Sequence, residues 1–169
     1  HAVLGYLGYR RKHKLGYEAL EDPEIRPILS DALNESVRGI VAHYHADEGW
    51  LRAHVADLLA RFANRVLADP VVRLGRDPLR KLAPSDRLVG AARVAEEAGI
   101  LPANLAWGIA GALAFDAPED TIAVQLRQRI AAEGVEAVLE SVSEIRRDEP
   151  LGLAVLERYR LLHQQARWR

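Results

Sequence analysis

Apolar residues recur at three- and four-residue steps through most of the chain, which is the spacing of amphipathic helices. In residues 23–45 these steps connect Ile25, Leu29 and Leu33, and residues 47–62 repeat the pattern. The two segments are separated by only a short turn. We therefore expect an antiparallel pair of long helices in the first third of the chain.

Further helices are predicted along the rest of the chain, while the segment EALED at 18–22 is expected to form only a short turn. Glycines in the segment ANLAWGIAGALAF indicate a close contact with another helix. No window alternates apolar and polar residues for long enough to predict a strand. We expect one all-α globular domain over residues 1–169, with about eight or nine helices. The remaining predicted helices cover 1–15, 86–99, 103–115, 118–134, 135–145 and 151–165.

Composition fits a soluble globular domain and gives no overall electrostatic case for binding nucleic acid or a membrane. The 169 residues are 49% hydrophobic and 28% charged, with a formal net charge of −1. Cysteine is absent, which excludes disulfides, thiolate metal sites and a cysteine nucleophile and fits a cytoplasmic protein. No segment approaches the roughly 20 apolar residues of a membrane span.

One stretch, residues 61–88, departs from the amphipathic pattern. It carries seven cationic side chains against three aspartates, and prolines and glycine interrupt any continuous helix. Guanidinium groups bind phosphate and carboxylate oxygens in pairs, so the stretch is a candidate anion site. The alternative is a solvated connector in which Arg61, Arg73 and Arg87 form structural ion pairs.

The histidines and the standard catalytic motifs give little support for other chemistry. His43 and His45 are two residues apart, which places them on different helix faces, so we expect surface histidines rather than a metal site. His13 and His163 are expected to stand alone among exposed charges. The chain lacks the signatures of dinucleotide, triphosphate, zinc-peptidase and hydrolase sites. A nucleotide cofactor would therefore need a domain outside this chain.

Three segments resemble the carboxyl-terminal domain of the polyol-specific long-chain dehydrogenases. The part GRDPLRKLAPSDRL resembles the mannitol-1-phosphate 5-dehydrogenase branch more closely than the branches acting on free mannitol or hexuronates. The segments are HAVLGYLGYRRKHKLGYEALEDPEIRPILSDALNES, LLARFANRVLADPVVRLGRDPLRKLAPSDRLV and AGILPANLAWGIAGAL.

The resemblance implies a two-domain enzyme that interconverts mannitol 1-phosphate and fructose 6-phosphate without a metal. An amino-terminal Rossmann domain, absent from this chain, would bind NAD, and residues 1–169 would form the helical substrate-binding domain. The chain on its own is then expected to be an inactive fragment. Its expected partners are the sugar phosphate and the missing Rossmann domain.

The resemblance also assigns site residues. The family signature is a Lys, four residues, an Asn, two residues and a His, and His1 matches its last member. The Lys, as general base, and the Asn would precede His1 by eight and three positions. The resemblance turns the cationic stretch into a candidate phosphate site. The expected substrate-binding residues are Asn64, Arg76, Arg80, Lys81 and Arg87.

Two other interpretations stay open at this point. Within the same family, the substrate could be free mannitol, fructose or a hexuronate. From another class, the domain could bind nucleic acid through its cationic stretch or serve as a structural scaffold. The scaffold interpretation predicts that Arg76, Arg80 and Lys81 point away from any cleft.

Overall fold

The computed structural model describes residues 1–168, which form eleven α-helices and one 3₁₀ turn and contain no strand. The prediction of an all-α domain is confirmed. The helices are α1 Ala2–Arg10, α2 Gly16–Glu21, α3 Ile25–Tyr44, α4 Glu48–Phe62, α5 Val71–Gly75, α6 Pro78–Lys81, α7 Val89–Glu97, α8 Leu105–Leu113, α9 Thr121–Glu133, α10 Val135–Ser143 and α11 Pro150–Gln164, followed by the 3₁₀ turn Ala166–Trp168.

The expected number of helices was wrong, because three short helices form where turns or a broken backbone were expected. Helix α2 replaces the predicted turn at 18–22, and Glu18 accepts hydrogen bonds from the backbone nitrogens of Lys14 and Leu15 at its start. Helices α5 and α6 lie inside the cationic stretch. Such short helices are marginal alone and form because they pack against the rest of the domain.

Helix α8 is the centre of the core, since all nine of its residues are buried. It packs against α1 and α11. A Cβ added at Gly108 would lie 2.8 Å from Cγ2 of Val3, and one added at Gly111 would lie 2.8 Å from Cβ of Tyr6. The close helix contact predicted from these glycines is confirmed, and it brings α1 against α8.

The long helices α3 and α4 follow one another across a short turn and contact each other. The Asp47 side chain accepts from the backbone nitrogen of Trp50 at 2.6 Å, which caps α4. Among the residues of α4, all of which the structure describes, Leu51 is the one buried residue, and Trp50 is 64% exposed. Within residues 1–168 no helix combines the length and the apolar character needed to cross a bilayer.

The segment between α4 and α5, residues 63–70, is fixed beside the start of α2 by backbone hydrogen bonds. The nitrogen of Gly16 donates to the carbonyl of Asp69 at 2.8 Å, and the nitrogen of Val71 donates to the carbonyl of Lys14 at 3.0 Å. Helix α5 itself packs tightly on α1. This pairing brings the beginning of the cationic stretch towards the amino-terminal end of α1.

Candidate functional site

His1 lies at the beginning of α1, where its carbonyl accepts a hydrogen bond from the nitrogen of Gly5 at 2.8 Å. Its imidazole ring contacts the ring of Phe62, with 4.1 Å between the ring centroids and a tilt of 38°. His1 is exposed to solvent. The contact with the last residue of α4 therefore orients the imidazole while leaving it accessible.

A small hollow lies on one side of His1, next to the segment 63–70. Its volume is about 50 Å³, which is room for one or two water molecules but not for a hexose. A sugar must therefore lie outside it. Besides His1, its polar and aromatic lining residues are Tyr17, Arg61, Phe62, Asn64 and Asp69.

Phe62 and Tyr17 were missed by sequence reasoning. Phe62 ends an amphipathic helix, so its spacing predicted only a core role. Asn64, in contrast, was expected at the site, and its Oδ1 accepts from the nitrogen of Val66 at 2.9 Å, which fixes the turn after α4. The one sequence feature that could have indicated Phe62 as a site residue is its position two residues before Asn64.

A second groove, of about 140 Å³, is also lined by His1 and includes Arg87. Its wall is mostly apolar. The guanidinium Nε of Arg87 lies 2.9 Å from Oδ1 of Asp86, and the Arg87 side chain is 53% exposed. His1 thus lines both hollows, with Asn64 lining the first and Arg87 lining the second.

Two cations supply positive charge close to His1. The charges of Arg87 and Lys81 both act electrostatically on the backbone nitrogen of His1. Two of the five expected substrate-binding residues therefore contribute positive charge at His1. A positive potential at this place favours an anionic ligand.

Lys81 lies behind this site rather than in an open groove. Only 4% of the residue is exposed, and its ammonium donates to the carbonyls of Leu74, at 3.0 Å, and Arg76. It also lies 5.7 Å from the centroid of the Tyr6 ring. Burial, followed by the charges of Arg87 and Arg80, lowers the pKa of Lys81 to about 8. Lys81 therefore holds the turn between α5 and α6.

Arg76 and Arg80 have different surroundings. Arg76 is exposed and lines a third hollow of about 640 Å³ together with Asp77, Glu119 and Asp120, and His1 is not among the residues lining that hollow. The Nε of Arg80 lies 3.8 Å from a carboxylate oxygen of Asp77. The structure thus brings His1 together with Asn64 and Arg87, with Lys81 close behind. It does not bring Arg76 into either hollow beside His1.

The predicted structural ion pairs are confirmed for two of the three arginines. Arg73 pairs with Asp69 at 3.1 Å and Arg87 pairs with Asp86. Arg61 instead lines the small hollow beside His1. The cationic stretch is therefore both a structural connector and part of the wall of the candidate site.

The expectation that His13 and His163 stand alone was wrong. His13 Nε2 lies 2.7 Å from the buried carboxylate of Asp22, and His163 Nδ1 lies 2.8 Å from the carbonyl of Tyr159. His43 is a surface residue 2.8 Å from Glu97. Among residues 1–168, no three His, Asp or Glu side chains are arranged to hold a metal ion.

Comparison with known proteins identifies a family and several relatives of this chain. The family described as the mannitol dehydrogenase C-terminal domain matches residues 1–162. A mannitol-1-phosphate 5-dehydrogenase of Anoxybacillus flavithermus is 40% identical over 156 residues, which are 92% of this chain and 41% of that protein. The enzyme of the same name from Bacillus licheniformis is 41% identical over 151 residues, 89% of this chain and 40% of that protein.

A third relative, the mannitol-1-phosphate 5-dehydrogenase of Bacillus subtilis, is 39% identical over 158 residues, 94% of this chain and 41% of that protein. The chain thus spans about two fifths of the length of these relatives. The matched residues 1–162 include helices α1 to α10 and most of α11. This chain belongs to the mannitol dehydrogenase C-terminal domain family.

Proposed function

We propose that this chain is the substrate-binding domain of an NAD-dependent enzyme that interconverts mannitol 1-phosphate and fructose 6-phosphate in the cytoplasm. The observation that carries the proposal is the joint position of His1 and Arg87 on one groove, inside a domain whose relatives are mannitol-1-phosphate 5-dehydrogenases. A polyol phosphate needs both a group that polarises an oxygen at the reacting carbon and a cation for its phosphate.

In this proposal His1 holds the oxygen at the reacting carbon by a hydrogen bond. The contact between its ring and Phe62 restricts the orientation of the imidazole, which lowers the entropic cost of binding in a reactive geometry. Arg87 binds the phosphate at the other end of the sugar, and binding energy from that remote group helps to orient the reacting carbon. Asn64 stays a candidate for a polar contact at the opening of the small hollow beside His1, since the hollow itself is too small to hold the sugar.

Lys81 and Arg80 contribute through charge in this scheme. Lys81 is held by two backbone carbonyls, so we propose that it raises the positive potential at His1 rather than wrapping around the phosphate. Arg80 is more than half exposed and lies on the same short helix. Arg76 stays a candidate for the phosphate, although it lines the third hollow, where Glu119 and Asp120 oppose an anion.

The residues described here do not fit an NAD site. Residues 1–168 contain no strand, and the chain lacks the glycine-rich turn between a strand and a helix that cradles a dinucleotide pyrophosphate. We therefore assign none of these residues to NAD, which would accept the hydride when bound to another part of the enzyme. The general base is likewise assigned to a part outside this chain.

An exposed apolar surface beside the site supports contact with such a second domain. Val66 is 91% exposed and Leu67 54% exposed, both in the segment 63–70 that borders His1. Arg65 anchors this segment, since its guanidinium lies 2.7 Å from Glu21. We propose that the cofactor domain covers Val66 and Leu67, which would exclude water from the site.

The experiment that tests the proposal uses the protein extended at its amino terminus to the length of its relatives. NADH oxidation is measured in parallel with fructose 6-phosphate, fructose and fructuronate. We expect kcat/KM to be highest with fructose 6-phosphate. A preference for fructose or fructuronate would overturn the substrate assignment and keep the family, whereas no oxidation of any of them in a folded protein would overturn the dehydrogenase itself.

The interpretation as a nucleic-acid-binding or scaffold module is less well supported. Several arginines of the cationic stretch are occupied by carboxylates, as Arg73 is by Asp69. Lys81 is buried. These contacts leave few of the cations free to follow a nucleic acid backbone.

A further inference from the structure

A second cationic surface lies at the other end of α1, outside the candidate site. The run RRKHK at residues 10–14 ends the helix and borders a groove of about 480 Å³. Four of its lining residues are basic, and Asp116 is the one carboxylate among its described lining residues. Its basic lining residues are Arg10, Lys12, His13 and Lys14.

The basic side chains of this groove differ in their partners. Arg10 donates through Nε and Nη2 to the carbonyl of Leu162, at 3.0 and 2.8 Å, so its charge is held in place without a carboxylate. His13 contacts the buried Asp22, which also pairs with Arg11. Within residues 1–168 the ammonium groups of Lys12 and Lys14 form no ion pair, whereas other surface cations commonly do, as Arg52 does with Glu48 at 2.7 Å.

The backbone at Lys12 adds an independent observation. Lys12 has a φ of 62°, in the left-handed region at the end of a helix where glycine is the less strained residue. The nitrogen of His13 donates to the carbonyl of Gly8 at 3.0 Å, which closes the helix end. A lysine therefore occupies a helix end at which glycine is the usual residue.

The rest of the groove is apolar and aromatic. Val71, Val72 and the ring of Tyr9 form its walls, and the Tyr9 hydroxyl donates to Oδ1 of Asp116 at 3.1 Å, which partly occupies the one opposing carboxylate. Two unpaired ammonium groups at the rim suit a phosphate or diphosphate. The apolar walls suit an uncharged organic body attached to it.

We propose that this groove binds a small organic diphosphate of the nucleoside diphosphate class, with its phosphates on Lys12 and Lys14 and its body against Tyr9 and Val72. The volume fits a single small molecule. The basic run is short and the net charge of the chain is −1, which favours such a ligand over a polynucleotide. The proposal does not depend on the proposed dehydrogenase function.

The experiment titrates the 169-residue chain with ADP, inorganic pyrophosphate and adenosine by isothermal calorimetry at low salt. We expect saturable binding of ADP, with adenosine and pyrophosphate each binding about tenfold more weakly because each lacks one half of the contacts. The absence of saturable ADP binding would overturn the proposal. Pyrophosphate binding as tight as ADP would overturn the role of the apolar walls.

Two variants separate binding from folding. Lys12→Gly relieves the left-handed strain, so it should raise the thermal midpoint while weakening ADP binding about tenfold, and Lys14→Gln should weaken binding by a similar factor. The matched control is Arg38→Gln combined with Arg127→Gln, which removes two exposed charges from α3 and α9 and should leave the Kd within about twofold.

Unchanged ADP affinity in the combined Lys12→Gly and Lys14→Gln variant would overturn the assignment to this groove. Loss of ADP binding in Arg87→Gln alone would place the ligand at the candidate site instead. Single-stranded DNA or phosphatidylserine vesicles that bind more tightly than ADP through the same two lysines would overturn the small-molecule class.

Discussion

The carboxylate of Glu35 lies across the beginning of helix α8, with Oε2 2.9 Å from the backbone nitrogen of Leu105. Its other oxygen accepts from the backbone nitrogen of Asn104 at 2.8 Å and from the Asn104 side chain at 2.9 Å. The residue is 7% exposed. A buried carboxylate from α3 thus satisfies the free N–H groups of the most buried helix and complements its dipole.

Replacement of Glu35 by alanine is expected to lower the free energy of unfolding by about 2–4 kcal/mol, because the buried N–H of Leu105 and the partly buried N–H of Asn104 would lose their acceptor. Urea denaturation followed by circular dichroism measures this. Asp31→Ala, an exposed change on the same helix, serves as control and should stay within about 0.5 kcal/mol of the parent. A Glu35 variant as stable as the control would contradict the role assigned to this carboxylate.

Gly5 is required by the packing of α1 on α5. A Cβ at this position would lie 2.7 Å from Cβ of Leu74 and 2.8 Å from the backbone nitrogen of Gly75. Gly5→Ala must push the two helices apart, so we expect a loss of about 1–3 kcal/mol in the same denaturation experiment.

The matched control for Gly5 is Gly49→Ala. A Cβ there would meet only Oδ1 of Asp47, at 3.4 Å, on an exposed part of α4. Because alanine is the better helix former, we expect a gain of up to about 0.5 kcal/mol. Equal changes in the free energy of unfolding for the two variants would contradict the role assigned to the contact between Gly5 and α5.

The lowered pKa of Lys81 predicts that the free energy of unfolding rises in alkaline solution. Burial lowers its pKa from 10.5 to about 8 in the folded protein, so between these values the unfolded chain binds more protons than the folded one. Stability therefore increases as the pH rises from about 8 to about 10.5, and below pH 8 the cost of burying the charge is fully present.

Lys81→Met removes this titration. Its stability relative to the parent should fall across the interval from pH 8 to pH 10.5, because only the parent gains from losing a proton. Denaturation midpoints of both proteins at several pH values in this range measure the difference. Parallel pH profiles would show that Lys81 is not titrating with a lowered pKa.

Substitutions of Arg87 and Arg76 are expected to affect phosphate binding differently. In the protein extended to the length of its relatives, Arg87→Gln is expected to raise KM for fructose 6-phosphate about tenfold or more, since Arg87 lines the groove that contains His1. Arg76→Gln should change KM less than about threefold, because Arg76 lines a hollow shared with Glu119 and Asp120. KM for fructose is the control, since it lacks the phosphate. The reverse order of the two effects would assign the phosphate to the third hollow.

The helices with a clear apolar repeat could be predicted, because their period is a local property of the sequence. Helices α3 and α9 follow the spacing of their apolar residues, and Gly108 and Gly111 correctly indicated a tight helix contact. The short helices α2, α5 and α6 were not predicted. Local caps such as Glu18 at the start of α2 are not sufficient to specify helices of this length, and contacts with distant parts of the chain stabilise them.

The sequence by itself determined an all-α domain, its family resemblance and a stretch rich in cations that includes Lys81 and Arg87. Only the tertiary structure decided what each cation does. Lys81 turns inward onto two carbonyls, Arg87 reaches the groove beside His1, and Arg76 faces the acidic residues before α9. The physical reason is that the direction of a side chain on a short helix depends on how that helix packs, and the packing of α5 and α6 is set by α1, α8 and α9, which lie far from them in the sequence.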